Sequence, residues 1–90
     1  MPDWSWPDFD WDDGNVEHII GRHNVSPDEA EQVFHNGAYV RRDGGFYRVY
    51  GQDDDGRYLI IVCERRGPFV RVISARDMDK DERRTYDRHR

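Results

Sequence analysis

Two periodicities divide the chain. Between Asp12 and Gly37 the apolar residues recur at helical spacing, and beyond Gly37 they alternate or run together as strands do. Val16, Ile19, Ile20 and His23 fall at i, i+3, i+4 and i+7. They predict a helix capped by Asp12 or Asp13 and ending near Asn24. The stretch "SPDE" then sets Ser26 as N-cap, Pro27 at the first helical position and Glu29 three residues after the cap. That is a capping box, with proline where its missing N–H is harmless. Ala30, Val33 and Phe34 make the buried stripe, and Asn36-Gly37 supplies a left-handed stop.

After Gly37 the runs "AYVRR", "FYRVYG", "RYLIIVCER" and "FVRVISAR" are rich in β-branched and aromatic residues. The turns "DGG", "QDDDG" and "RGP" separate them, and connections this short favour an antiparallel meander. The third run is apolar on both faces, which predicts a central strand with helices covering one side of the sheet. Finally "DKDERRTYDRH" predicts a helix with Asp79 as N-cap and Glu82 closing a second capping box. Ahead of all this, two prolines and several acids make a helix at the start unfavourable, and Phe9 and Trp11 share one face of an extended segment. The expected class is α+β, with two N-terminal helices, a four-stranded antiparallel meander and a C-terminal helix. Residues 1–8 are expected to be a flexible extension and residues 9–90 a single domain.

Composition alters this picture in two places. A hydrophobic fraction of 36% against a charged fraction of 37% borders on disorder, but twelve aromatic residues supply large side chains for a core. The net charge of −5 conceals a division: residues 1–37 carry nine acids and one arginine, whereas residues 38–90 carry ten acids and thirteen lysines or arginines. An acidic front and a basic back imply intramolecular attraction, a cationic site for an anion, or both. No apolar run approaches the ~20 residues of a membrane span, and the opening is not that of a secretory signal. A lone cysteine, Cys63, ends the apolar run "YLIIVC" and reads as a small core residue. Together these features predict a cytoplasmic protein.

The basic back concentrates candidate chemistry near the end. Arg76 closes the last strand; Lys80, Arg83, Arg84 and Asp87 share one face of the final helix, and Glu82 and Tyr86 form an i, i+4 pair. Two guanidiniums converging on one phosphate would give bidentate recognition and charge stabilisation. The competing reading is a solvated helix laced by Glu82 and Arg83, with Tyr86 packed on the sheet. Among the four histidines no pair has the i, i+4 spacing of a helical zinc site, so no metal or other cofactor is expected. His23, beside Arg22 at a helix end, is either a capping histidine or a proton-transfer group. The "DDDG" at 53–56 lacks the spacing and closing glutamate of a calcium loop and reads as a hairpin turn.

In this order, "FDWDD", "RHNVSPDEAEQVF", "YGQDDDGRYLIIV", "RGPFVRVISAR" and "DERRTY" resemble the BrnT family, the toxin halves of bacterial type II toxin–antitoxin pairs. The resemblance runs from about Phe9 to Tyr86 and implies a fold like that of RelE-type ribonuclease toxins. It also implies RNA cleavage that arrests translation and neutralisation by a BrnA-like antitoxin. DNA would be reached only through that antitoxin, and a homodimer within the complex is a further expectation. Position by position, the resemblance points to Arg22, His23, Arg71, Arg76, Glu82, Arg83 and Tyr86, with Lys80 as an added substrate contact. Asn24 stands where the family usually has glycine, and Gly14 and Val16 where it tends to lysine and other polar residues. The chemistry implied is metal-independent: the ribose 2′-OH attacks the adjacent phosphate to leave a cyclic phosphate. Arg76 and Arg83 would stabilise the phosphorane, Glu82 or His23 would be the base, and Tyr86 an acid or a stacking platform. A binding module without catalysis, acting through the antitoxin complex in operator repression, is the reading from another class.

Overall fold

The computed structural model describes residues 7–90. In chain order it contains β1 (Asp8–Phe9), α1 (Asp13–His23), α2 (Pro27–His35), β2 (Tyr39–Asp43), β3 (Phe46–Gln52), β4 (Tyr58–Arg66), β5 (Phe69–Asp77) and α3 (Lys80–His89). The five strands form one sheet in the order β1-β5-β4-β3-β2, with β4 central as its two-sided apolar run requires.

This α+β fold differs from the expected four-stranded meander in two respects. The first is the added strand β1, which pairs parallel to β5 through Asp8 with Phe69 and Phe9 with Val70, making the sheet mixed. Aromatic burial fixes it there. The Phe9 ring meets Phe34 edge-on at 5.1 Å and stacks on Trp11, whose indole N–H donates to Glu31 at 2.7 Å. Of the flexible extension expected at residues 1–8, residues 1–6 lie outside the described residues, and Asp8 is already paired.

The second difference is that helices cover both faces of the sheet rather than one. Paired residues on neighbouring strands share a face, so Val49, Leu59, Ile61 and Cys63 point one way, and Tyr50 and Ile60 the other. The first set packs with Ile19, Val25, Ala30, Val33 and Phe34 from the α1–α2 segment. The second packs with Met78 and Tyr86 beneath α3. A bulge opposite Val62 and Cys63 leaves Ile73 unpaired, which returns both Val72 and Ala75 to the α1–α2 face. At Gly51 a Cβ would lie 2.9 Å from Val33 Cγ1, so α2 approaches β3 as closely as only glycine permits.

All three helices start with reciprocal capping boxes, from Asp12, Ser26 and Asp79. Asn24 ends α1 in the left-handed region (φ 54°, ψ 41°), performing the glycine's role that the family pattern assigns to this position. The predicted stripe of α1 is rotated: Ile20 is 47% exposed and Asn15 is buried in its place. Asn15 is satisfied there, donating to the carbonyls of Asp10 (3.0 Å) and Val72 (3.1 Å) and accepting from the Asp12 N–H (2.8 Å).

Candidate functional site

Two rows of side chains cross the sheet on its α3 face. Strand register places Tyr39, Tyr50, Ile60 and Arg76 in one row, and Arg41, Arg48, Val62 and Ser74 in the next. Helix α3 sits over the first row, where Tyr86 and Met78 pack with Tyr50, Ile60 and Tyr39.

Arg76 and Glu82 meet at the start of α3. The Arg76 guanidinium donates from Nη1 to Oε1 (2.6 Å) and from Nη2 to Oε2 (2.7 Å), a two-pronged charge-assisted pair. The same Glu82 oxygen accepts the Asp79 N–H at 2.9 Å to close the capping box. Arg76 also donates to the Asp77 carbonyl at 3.1 Å. The Arg76 fork holds the Glu82 carboxyl below its ordinary range against the opposing effect of burial, with lesser help from the Asp79 N–H, the charge of Arg76 and that of Arg48. The same pair raises Arg76 further. Glu82 is mostly covered, at 12% exposure, whereas Arg76 keeps 41%, so the guanidinium is the outward member.

The other expected site residues occupy distinct surroundings. The Arg83 guanidinium lies over the Tyr58 ring, 3.9 Å from its centroid. Tyr58 stands two residues before Ile60 on the same face, so Arg83 occupies the row adjacent to Arg76. Tyr86 is buried edge-on against Tyr58 at 6.0 Å, its hydroxyl 3.5 Å from Gln52 Oε1. Lys80 and Arg22 are exposed. Arg71 turns toward the acidic front and pairs with Asp12 (2.9 Å) and Asp10 (3.5 Å), which accounts for part of the charge division. Its hydrogen bond is the largest cause holding the Asp12 carboxyl low.

His23 belongs to α1, which packs across β5 from the opposite face to α3. Its carbonyl and that of Asn24 accept from Arg57, whose guanidinium also forks onto Asp77 (2.8 and 3.1 Å) and reaches Glu29 (3.3 Å). Arg57 thereby ties the α1–α2 turn to the end of β5. Asp77 is held low chiefly by Arg57, and Arg57 is raised chiefly by Asp77.

Sequence reasoning passed over three residues of the α3 face. Arg48 alternates with Phe46 and Tyr50 in "FYRVY", which was enough to place it on this face. Tyr39 stacks on His89 at 4.0 Å. His89 follows Glu82 and Tyr86 at i+7 and i+3, and its Nδ1 faces the Thr85 carbonyl at 2.8 Å. A ring nitrogen against a carbonyl must be the protonated one, which leaves Nε2 as the acceptor in the neutral ring. Among the described residues no group of three or more His, Cys, Asp or Glu side chains is placed to hold a metal ion.

The family described as ribonuclease toxin, BrnT, of type II toxin–antitoxin systems matches residues 11–82. The chain belongs to the BrnT family. As a BrnT toxin it is a ribonuclease by family, with RNA as substrate and an antitoxin as partner. The match contains Arg76 and Glu82 and stops short of Arg83, Tyr86 and His89. No curated protein matches the chain. No helix among the described residues is long and apolar enough to cross a membrane.

Proposed function

We propose that this BrnT protein cleaves RNA without a metal ion, on the sheet face beside α3, and thereby arrests translation. The observation that carries the reading is the outward Arg76 guanidinium, oriented by Glu82, with Arg83 over Tyr58 in the adjacent row. In such a reaction the 2′-oxygen attacks the adjacent phosphorus, the P–O5′ bond breaks, and the products are a cyclic phosphate and a 5′-hydroxyl. Arg76 and Arg83 hold the charge that develops on the non-bridging oxygens. Glu82 acts by positioning Arg76: its oxygens are engaged and its basicity is reduced, so it is a poor proton acceptor. His89, stacked on Tyr39 at the other end of the same row, stands three strands from Arg76, too far along the sheet to be the acceptor at this phosphate. The Tyr58 and Tyr39 rings are covered by Arg83 and His89, which they hold in place, while buried Tyr86 seats the helix.

A BrnA-like antitoxin would neutralise the toxin and carry the contact to operator DNA, with a toxin pair in the complex. The cytoplasm is the compartment where both the RNA and the reduced Cys63 belong. A non-catalytic reading has one observation in its favour, the neutralisation of Arg76 by Glu82. Purified protein incubated with RNA in excess EDTA separates them. Accumulation of fragments with cyclic-phosphate ends supports cleavage, and intact RNA at micromolar enzyme supports the binding module.

A further inference from the structure

Away from the Arg76–Glu82 pair and α3, a further concentration of cationic side chains lies at the tip of the β2–β3 hairpin. Arg41, Arg42, Asp43 and Arg48 line a polar cavity of about 230 Å³. Arg48 pairs with Asp43 at 2.9 Å, and Arg42 donates to the Gly44 carbonyl at 3.3 Å, which fixes both guanidiniums at the rim. Arg41 lies directly across from Arg48, exposed and on the same face as Asp43, so two guanidiniums face one carboxylate, while Arg42 alternates to the other face and curls to the turn. The tip is a two-residue turn with Gly44 at φ 63°, and the facing pair Asp43–Phe46 closes it. Turns this short hold the flanking strands in fixed register, so the cluster is preorganised.

A second feature distinguishes the ligand. Phe46 sits two residues before Arg48 on the same face and is 45% exposed, an aromatic ring left open beside the arginines. A carboxylate-bearing protein segment has no need of that ring, whereas a nucleic-acid strand presents a phosphate and a stacking base together. Arg48 also connects the tip to the site: its charge acts on Glu82, and its row lies next to that of Arg76. Arg48 and Arg76 stand one row apart, about 6.8 Å along the strand, and on either side of β4, so one RNA strand can span the tip and Arg76.

We propose that the β2–β3 hairpin tip is a backbone-binding subsite for single-stranded RNA, in which Arg41 and Arg48 contact phosphates and Phe46 stacks one base. The proposal rests on the RNA reading above and adds to it the place where substrate remote from the scissile bond is held.

Binding of a 2′-O-methyl 12-mer, which cannot be cleaved, tests it by fluorescence anisotropy across a salt series. Arg41→Gln/Arg48→Gln is expected to raise Kd about tenfold at low salt. The slope of log K against log salt should fall in magnitude by about 1.4, from about 0.7 per phosphate contact. Phe46→Ala is expected to weaken the 12-mer about tenfold while leaving inorganic polyphosphate unaffected. Unchanged Kd and slope in the arginine variant, with its circular dichroism intact, would overturn the subsite. So would poly-glutamate that binds as tightly as the 12-mer and loses affinity equally, because the cluster would then serve an acidic protein. If the variant loses affinity while the wild-type protein leaves ordinary RNA intact, the subsite stands and the cleavage reading fails.

Discussion

Arg76 grips Glu82 with both prongs of its guanidinium, and the same carboxylate caps α3 through the Asp79 N–H. One acidic side chain therefore joins the end of β5, the start of α3 and the candidate phosphate-binding group. Glu82→Gln keeps the cap acceptor but removes the charge. With Arg76 partly exposed and screened, the expected loss is about 1 kcal/mol. The folded-state pKa of Glu82 lies below its ordinary 4.5, so its contribution is present above about pH 4.5 and is lost as pH falls through the folded value. Urea unfolding of both proteins should show a stability gap at pH 7 that closes toward pH 3. A gap independent of pH would contradict this role.

Arg57 secures the opposite face. It reaches the carbonyls of His23 and Asn24 and the carboxylates of Asp77 and Glu29. Arg57→Met should cost about 2–3 kcal/mol, because two carbonyls and two acids lose a charged donor at once. In a domain of this size that corresponds to a fall in Tm of roughly 10–20 °C. A fall below about 3 °C would show that the clamp is ornamental.

The contact between Gly51 and Val33 makes a steric prediction. Gly51→Ala should destabilise by about 1–3 kcal/mol through overpacking against Val33 Cγ1. Adding Val33→Ala removes that atom, so the double variant should lose less than the two single losses combined. The Val33 carbonyl, 3.3 Å from the new Cβ, keeps the rescue partial. Additive losses in denaturant titrations would contradict the contact.

Cys63 is fully buried, and burial pushes its thiol up to about 12. Iodoacetamide at pH 8 should leave the native protein unlabelled for hours and modify it within minutes in denaturant. Rapid labelling of the native protein would place Cys63 outside the core.

The sequence pattern carries much of this fold, and its failures have physical causes. Capping boxes at Ser26 and Asp79 and the central place of β4 are local or single-strand properties, readable from spacing alone. Strand β1 was hidden because two residues give no period, and their pairing depends on Phe9 meeting Phe34, distant in sequence. The rotated face of α1 was missed because Asn15 reads as solvent-facing until Asp10 and Val72 offer it carbonyls. The crossing of α3 to the other face follows from Tyr50, Ile60 and Tyr86 forming a core of their own. At the candidate site, Arg76 and Glu82 were legible as neighbours of one charged helix start. Their mutual pairing, and the departure of Arg71 to Asp12 and of His23 to the opposite face, are tertiary facts.

The central claim is that Arg76 and Arg83 stabilise the charge developing on an RNA phosphate. Single-turnover cleavage of a defined RNA, compared among wild type, Arg76→Ala and Arg83→Ala with folding verified by circular dichroism, tests it most directly. Each variant should lose about 10²–10³ in rate, and the wild-type products should carry cyclic-phosphate ends. Wild-type rates in both variants would contradict it.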